Sequence, residues 1–538
     1  MKITRTAVLF AAAALLTVCA AFTSMAATYE WYQADEIWRC RDKNGDDIID
    51  EWVKSGSDLF RMNSRGEMVV SQLIDDGGDI YYAGEDGRIV KNDWRRLENE
   101  GYPEEISDEY SWYYFTASGK AQKARSNGKP VTISGRKYFF SDEGRMLSGW
   151  INDDGSQCEE DYPYREAVYY CGGEDDGMVR QGWSRIEVED PDSEDGFEMQ
   201  YWFCFGQDGR KYAASTEEVL KERKINGGMY AFDQYGVMRA EWQPVASTLP
   251  ESSSEIGSYY WFRDKETGAK LKKGWFRVTP AALVNETDYN DETPHWYYAS
   301  GRGKLAESCI KTIRGKRYAF NEKGEMLSGL VCLVTDQDKK ILAYDVIDTE
   351  EELEKVKNGT YGSGNLLTEA GELDLDSMGG AEACFYYLGK EETDGSMKTG
   401  VVYINLEGLK YTFYFENKGT LKYRALTGMV GKYYYNNGIR VCADKDLKYQ
   451  VFKAWDTSGE YPEKITPATK CEYISMPQGG SGEPVTWNQL KNDPTQGGEW
   501  MYSYILISKD GTVIKSGIKK DADGNKYKVT NYSVEAID

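Results

Sequence analysis

The chain has 538 residues and a formal net charge of −24, with 89 Asp and Glu against 65 Lys and Arg. An acidic surplus of that size repels phosphate, which argues against nucleic acid and anionic membranes as partners. One histidine beside 41 Tyr and 15 Trp leaves almost no room for His-based triads or His-rich zinc sites. It points instead to aromatic surfaces, either stacked in a core or offered to a sugar or a cation.

Lys2 and Arg5 precede an apolar run from Ala7 to Phe22, and Ser24-Met25-Ala26-Ala27 follow. This pattern predicts a secretory signal peptide over residues 1–27, too short and wrongly flanked for a stable membrane span. The mature chain is expected to be exported, to begin near Thr28 and to contain no membrane span. Cys19 follows Leu16-Thr17-Val18 and loosely resembles a lipoprotein box, but Val18 stands where such boxes carry a small residue. The C-terminal NYSVEAID carries no sorting motif, so attachment to a surface is expected to be non-covalent.

Ten cysteines become nine without Cys19, and an odd count leaves at least one thiol unpaired or paired between chains. There is no CxxC and no metal-ligand spacing. Cys40 and Cys204 each lie two residues after a Trp, at a strand position filled elsewhere by Tyr114 and Tyr298. There they are expected to act as small buried hydrophobes. Cys158 and Cys171 form the local pair to test first for a disulfide.

The body of the chain is repetitive. Gly135 to Trp150, GRKYFFSDEGRMLSGW, reads as a β-hairpin: an aromatic strand, a polar turn ending in Gly144, a return strand through Met146 and Leu147, and a closing Trp. Trp38 and Gly45 are seven apart, as are Trp112 and Gly119, Trp202 and Gly209, and Trp296 and Gly303. From turn Gly to closing Trp the spacing is six at Gly144–Trp150, Gly177–Trp183 and Gly236–Trp242, and seven at Gly87–Trp94 and Gly268–Trp275.

A longer period lies above the hairpin. First hairpins turn at Gly87, Gly177, Gly268 and Gly395, second ones at Gly119, Gly209, Gly303 and Gly419, and third ones at Gly144, Gly236, Gly324 and Gly438. Three hairpins thus form a block of about 90 residues. Residues 29–72 read as a partial block. The fourth block is displaced by a polar, acidic insertion, 331–382. Acidic strand-pair tips such as PDSEDG separate first and second hairpins. Beyond Cys442 the pattern weakens, and residues 443–538 read as a divergent, repeat-like C-terminal region.

Gly-Trp followed by Trp-Tyr-Tyr-Phe, a turn Gly and a hydrophobic pair resembles the cell-wall-binding repeats of Gram-positive surface proteins. These include choline-binding modules, the glucan-binding repeats of streptococcal glucosyltransferases and the tails of clostridial toxins. The best matches are Trp112-Tyr113-Tyr114-Phe115, Gly135 to Trp150, Trp296-Tyr297-Tyr298 and GKRYAFNEKGEMLSG from Gly315 to Gly329. The resemblance covers most of residues 38–442 and returns near 504–529.

It implies an all-β, repetitive hairpin solenoid, about twenty residues per hairpin, with ligand pockets where Trp and Tyr of neighbouring hairpins converge. The implied pocket sets are Trp94 with Trp112 and Tyr114, Trp150 with Tyr169, Trp183 with Trp202, Trp242 with Tyr260, and Trp275 with Trp296 and Tyr298. A quaternary ammonium sits well over several aromatic faces, and a sugar ring can lie flat on one. The chain departs from the family in its longer acidic linkers and in the loss of the closing Trp, replaced by Leu330 in the third block and Val401 in the fourth.

Competing readings stand beside these. Any one of the aromatics can be core, because a lone hairpin cannot bury its apolar face. Asp42 to Val53 faintly resembles a calcium loop, but its sixth position is Asp47 rather than Gly and its twelfth is Val53 rather than an acid. Gly45 obeys the hairpin spacing, so the turn is the preferred reading. Acidic runs such as Glu187 to Glu198 are read as solvated tips. A carboxylate-based glycosidase in the C-terminal part remains a minor alternative.

The leading expectation is an exported, non-catalytic surface protein, without cofactor or bound metal, binding cell-wall polysaccharide, teichoic acid or choline and held non-covalently on the wall. The alternative is a structural or adhesive stalk that contacts host protein or glycan and has no wall ligand. Oligomeric state is left open.

Overall fold

A computed structural model describes residues 29–99, 110–193, 196–244, 253–357, 365–368, 371–374, 382–390, 394–456, 469–472, 486–491 and 503–538. The expected signal peptide and the 100–109 tip lie outside them. The described chain is overwhelmingly β, almost all of it antiparallel pairs closed by short turns. Helices are short, the longest being Glu350–Lys357. Among the described residues no helix is long and apolar enough to cross a membrane.

The turns explain the glycine spacing. In DKNG the Asp42 carboxylate accepts from the Asn44 and Asp46 N–H groups at 2.8 and 3.0 Å, and Gly45 closes the turn at φ +87°. Asn63, Asp233, Asn321 and Asp521 accept in the same way, from the second and fourth residues on or from the fourth alone. A short polar side chain three residues before a left-handed Gly is a self-capped turn, and it is specified locally. The Asp42 segment is therefore a hairpin turn whose backbone donors occupy its acidic side chain.

Successive hairpins are tied by their backbones. The second residue after the turn Gly donates its N–H to a strand carbonyl of an earlier hairpin. Examples are Ile89 to Leu59 (2.9 Å), Ala121 to Ile80 (2.7 Å), Met146 to Trp112 (2.7 Å), Val179 to Lys137 (2.9 Å) and Met326 to Trp296 (2.8 Å). These bonds set the separation at which side chains between hairpins close-pack.

The chain divides into two compact units, Met1–Arg239 and Ala240–Asp538. In the first, three pairs follow one another: Gln72–Asp76 with Asp79–Ala83, Asp93–Glu98 with Tyr110–Phe115, and Val131–Ile133 with Arg136–Tyr138. The same order then recurs: Trp150–Ile151 with Tyr169–Tyr170, Gly182–Glu189 with Glu198–Phe205, and Lys221–Ile225 with Gly228–Phe232. The second unit opens with a third series: Glu241–Pro244 with Tyr259–Phe262, Gly274–Val278 with His295–Ala299, and Cys309–Ile313 with Lys316–Phe320.

Past this point the pattern broadens. Gly329–Thr335 runs between Ile341–Ile347 and Glu382–Leu388 in a three-stranded sheet. The 331–382 insertion thus contributes two strands and the helix Glu350–Lys357 to a sizeable apolar core with Phe413 and Phe415. Leu330, at the lost Trp position, is buried there, whereas Val401 is exposed. Tyr449–Asp456 pairs with Ser503–Ser508, and Gly517–Lys520, Lys526–Thr530 and Ser533–Ile537 form a last three-stranded sheet.

The junctions around Tyr81, Tyr113, Tyr138 and Tyr169 are, by contrast, small separate apolar clusters. The cysteines fit this scheme. Cys40, Cys158, Cys171, Cys204 and Cys332 are buried free thiols, and Cys158 and Cys171 belong to different clusters.

Candidate functional site

Strand parity decides which aromatics meet, because residues directly opposite in an antiparallel pair share a face. Trp94 stands opposite Tyr114, and Arg96 opposite Trp112. Trp183 stands opposite Cys204, and Arg185 opposite Trp202. Trp275 stands opposite Tyr298, and Arg277 opposite Trp296. Three strand pairs therefore present one arrangement, a Trp pair with an Arg across the strand from its second member.

The geometry repeats closely. Trp94 and Trp112 meet at 6.4 Å and 77°, Trp183 and Trp202 at 6.3 Å and 84°, and Trp275 and Trp296 at 6.3 Å and 85°. These are edge-to-face contacts, the favoured packing for aromatic quadrupoles. The first Trp of each pair is gripped by the following hairpin. Trp94 packs on Tyr138 (5.0 Å) and Phe140 (5.8 Å), Trp183 on Tyr230 (4.7 Å) and Phe232 (5.7 Å), and Trp275 on Tyr318 (4.8 Å) and Phe320 (5.7 Å). The second Trp touches no other ring among the described residues and stays half-buried. No cation of the chain lies over either ring of these pairs among the described residues.

The indole N–H groups differ. That of Trp112 donates to Asp175 at 3.0 Å, and the same carboxylate pairs with Arg96 at 3.4 Å. The Arg96 guanidinium also lies 4.5 Å from the Tyr110 ring centre. The Trp202 N–H is buried without a hydrogen-bond partner.

The other two predicted sets are not brought together. Trp150 stands opposite Tyr170, so Tyr169 points to the other face. Trp150 packs with Tyr170 (4.8 Å) and Phe203 (5.1 Å), while Tyr169 meets Phe139 (5.0 Å). Trp242 likewise stands opposite Trp261, with Tyr260 on the reverse face. Trp242 packs with Trp261 (5.1 Å) and Tyr297 (5.1 Å).

These faces already hold cations of the chain itself. Lys211 Nζ lies 5.6 Å from the Trp150 ring centre, Arg210 5.5 Å from Tyr169, and Lys270 only 3.2 Å from Tyr260. Lys211 also donates to the Tyr164 carbonyl. Burial pushes its ammonium down to about 8, against the opposing pull of Asp233, Glu166 and Cys158. Lys211 and Lys270 each stand two residues past a turn Gly, where other hairpins carry Ile89, Ala121 or Met146. A lysine in that inward position is the sequence signal for a self-filled junction. A separate cavity of about 400 Å³, lined by Arg125, Lys129, Tyr138, Phe140 and Asp154 among others, contains none of the Trp pairs.

Comparison with known proteins places these features in context. No family profile matches the chain. Glucosyltransferase-I of Streptococcus downei is 22% identical over 415 residues, covering 70% of this chain and 23% of that protein. The chain thus spans less than a quarter of the curated relative's length. Among solved structures, the modular autolysin LytC of Streptococcus pneumoniae matches at 18% identity and TM-score 0.32, over 57% of this chain and 55% of that one. Choline binding protein F of the same organism matches at 18% identity and TM-score 0.26, over 73% of this chain and 98% of that one. In its repeats the chain resembles the choline-binding and glucan-binding proteins of Gram-positive surfaces.

Proposed function

We propose that this is an exported, non-catalytic surface protein that binds cell-wall carbohydrate or teichoic acid through its Trp pairs. The observation that carries the reading is the threefold recurrence of a Trp gripped by the next hairpin beside a second half-buried Trp, with an Arg across the strand and no cation over either ring among the described residues. A quaternary ammonium such as choline would be held over the indole faces, and a sugar ring could stack on the rim Trp. Arg96, Arg185 and Arg277 lie across the strand from Trp112, Trp202 and Trp296, and Arg96 is already paired with Asp175.

Each site would bind weakly. Three on one chain would give avidity, provided the polymer spans them. The self-filled faces at Trp150, Tyr169 and Tyr260 favour a structural role for those residues, as in the stalk reading, but leave the Trp pairs unexplained.

The test is co-sedimentation of the mature chain with purified Gram-positive walls, intact or stripped of teichoic acid, with free choline as competitor. Binding lost on stripping and competed by choline supports a choline-bearing polymer. Binding that survives both points to peptidoglycan or another glycan. Absence of binding to any wall overturns the proposal in favour of the stalk.

A further inference from the structure

The one histidine of the chain does not stand alone. Its Nε2 lies 2.8 Å from Asp288 Oδ2 and 4.0 Å from Glu325 Oε1. The ligand atoms of Asp288, His295 and Glu325 all lie within 4.8 Å of one another. Asp288 is on the short helix Glu286–Asn290, His295 opens the strand carrying Trp296, and Glu325 follows the turn of the next hairpin. The Asn285 amide sits among them, 2.6 Å from Asp288 Oδ2 and 2.8 Å from Glu325 Oε1. Asn285 is 6% exposed and Glu325 7%.

An equivalent hairpin provides the internal comparison. In NSRGE, Glu67 is held by the Asn63 amide at 2.8 Å, as Glu325 in NEKGE is held by Asn321 at 2.9 Å. Glu67 is then neutralised by Arg65 at 3.1 Å and Arg39 at 3.5 Å. No guanidinium or ammonium pairs with Glu325 or Asp288 among the described residues. Two carboxyl groups thus converge on one imidazole at a half-buried site, with no lysine or arginine beside them among the described residues. The Tyr297 hydroxyl, fully buried and without a hydrogen-bond partner, belongs to the same neighbourhood.

We propose that Asp288, His295 and Glu325 bind one divalent transition-metal cation of the zinc class. One imidazole nitrogen and two carboxylate oxygens form a mixed donor set suited to such an ion, whereas calcium and magnesium take oxygen alone. Two ligand atoms at about 2.1 Å from a tetrahedral ion are about 3.4 Å apart, and the observed 2.8 and 4.0 Å bracket that value. A cation seated between Nε2 and Asp288 Oδ2 would replace the direct contact those two atoms make. The Asn285 oxygen caps the helix by accepting from the Asp288 N–H, so three protein donors leave the fourth position of a tetrahedral ion to water. The ion would pin the helix, the Trp296 strand and the following turn to one another.

The experiment uses the mature chain, stripped with chelator and titrated with Zn²⁺ by calorimetry, beside His295→Ala and the near-isosteric Glu325→Gln, which retains a partner for Asn321. The expected result is one equivalent bound per chain, weakened at least about 100-fold in each variant. Co²⁺ in the same site should give d–d absorption without a thiolate charge-transfer band. Absence of stoichiometric binding overturns the proposal. So does binding unchanged in Glu325→Gln, or a thiolate band, which would assign the ion to cysteines. Wall binding is not an arm of this test, so the metal site and the wall reading fail separately.

Discussion

Trp275 and Trp296 meet edge to face at 6.3 Å across one strand pair, yet only Trp275 is enclosed by the rings of the following hairpin, Tyr318 and Phe320. The same asymmetry holds at Trp94 with Trp112 and at Trp183 with Trp202. One member of each pair packs on the rings of the next hairpin, and the other meets no further ring among the described residues, although both are half-buried.

This separates the two positions by mutation. Trp94→Ala, Trp183→Ala and Trp275→Ala each remove a ring packed against the next hairpin and should cost about 3–5 kcal/mol of stability. Trp112→Ala, Trp202→Ala and Trp296→Ala should cost clearly less, on the order of 1–2 kcal/mol. Urea midpoints for the six variants check this, and equal losses at both positions would contradict the asymmetry.

Gly87 illustrates why the turn glycines are fixed in place. It adopts φ +75°, and a Cβ there would lie 2.5 Å from Met68 Sδ. Gly177 and Gly395 meet Met146 and Met326 in the same way. Gly87→Ala should destabilise by about 2 kcal/mol or more through strain and overpacking together. Adding Met68→Ala should recover only the packing part. Full recovery in the double variant would show that backbone strain contributes nothing.

Lys211 predicts a pH dependence of defined sign. Its folded value near 8 lies below the 10.5 of a free lysine, so between the two the unfolded chain holds the extra proton. Stability should therefore rise by about 1–2 kcal/mol from pH 8 to pH 9.5 relative to Lys211→Met, in which this contribution is gone. Below pH 8 both states are protonated and the difference should level off. The difference between wild type and variant in urea titrations isolates this group from thiols and tyrosines.

The thiols should be inert in the folded chain. Burial pushes Cys40 and Cys204 up to about 11, and it pushes Cys171 and Cys332 up as well. The thiolate is the nucleophile, so alkylation of these four at pH 8 should be at least about 100-fold slower in buffer than in urea. Peptide mapping reads each site. Rapid labelling of Cys204 in buffer would contradict the buried-hydrophobe reading, and a Cys158–Cys171 cross-link would contradict the free thiols.

The hairpins were legible because their turns are local devices. Asp42, Asn63, Asp233 and Asn321 each cap their own turn three residues before a left-handed Gly, so spacing alone exposes the repeat. The Trp–Trp pairs were legible for the same reason, since each Trp lies at a set distance from its own turn Gly. The partners of Trp150 and Trp242 were not. Loops of variable length precede Tyr169-Tyr170 and Tyr260-Trp261, and a shift of one residue moves a ring to the opposite face. The Asp288–His295–Glu325 cluster escaped because its members come from a helix, a strand and a turn, with no spacing to link them. The insertion gave no sign of its sheet because Gly329–Thr335 is buried on both faces and lacks alternation.

The most direct test of the wall-binding account is co-sedimentation of the triple variant Trp112→Ala, Trp202→Ala, Trp296→Ala with purified Gram-positive walls, beside the wild-type chain. Circular dichroism first confirms that the variant keeps its β content. The account predicts that the folded variant loses at least about tenfold in wall affinity, because all three weak sites are disabled together. A folded variant that sediments like wild type would contradict it and return the aromatics to a purely structural role.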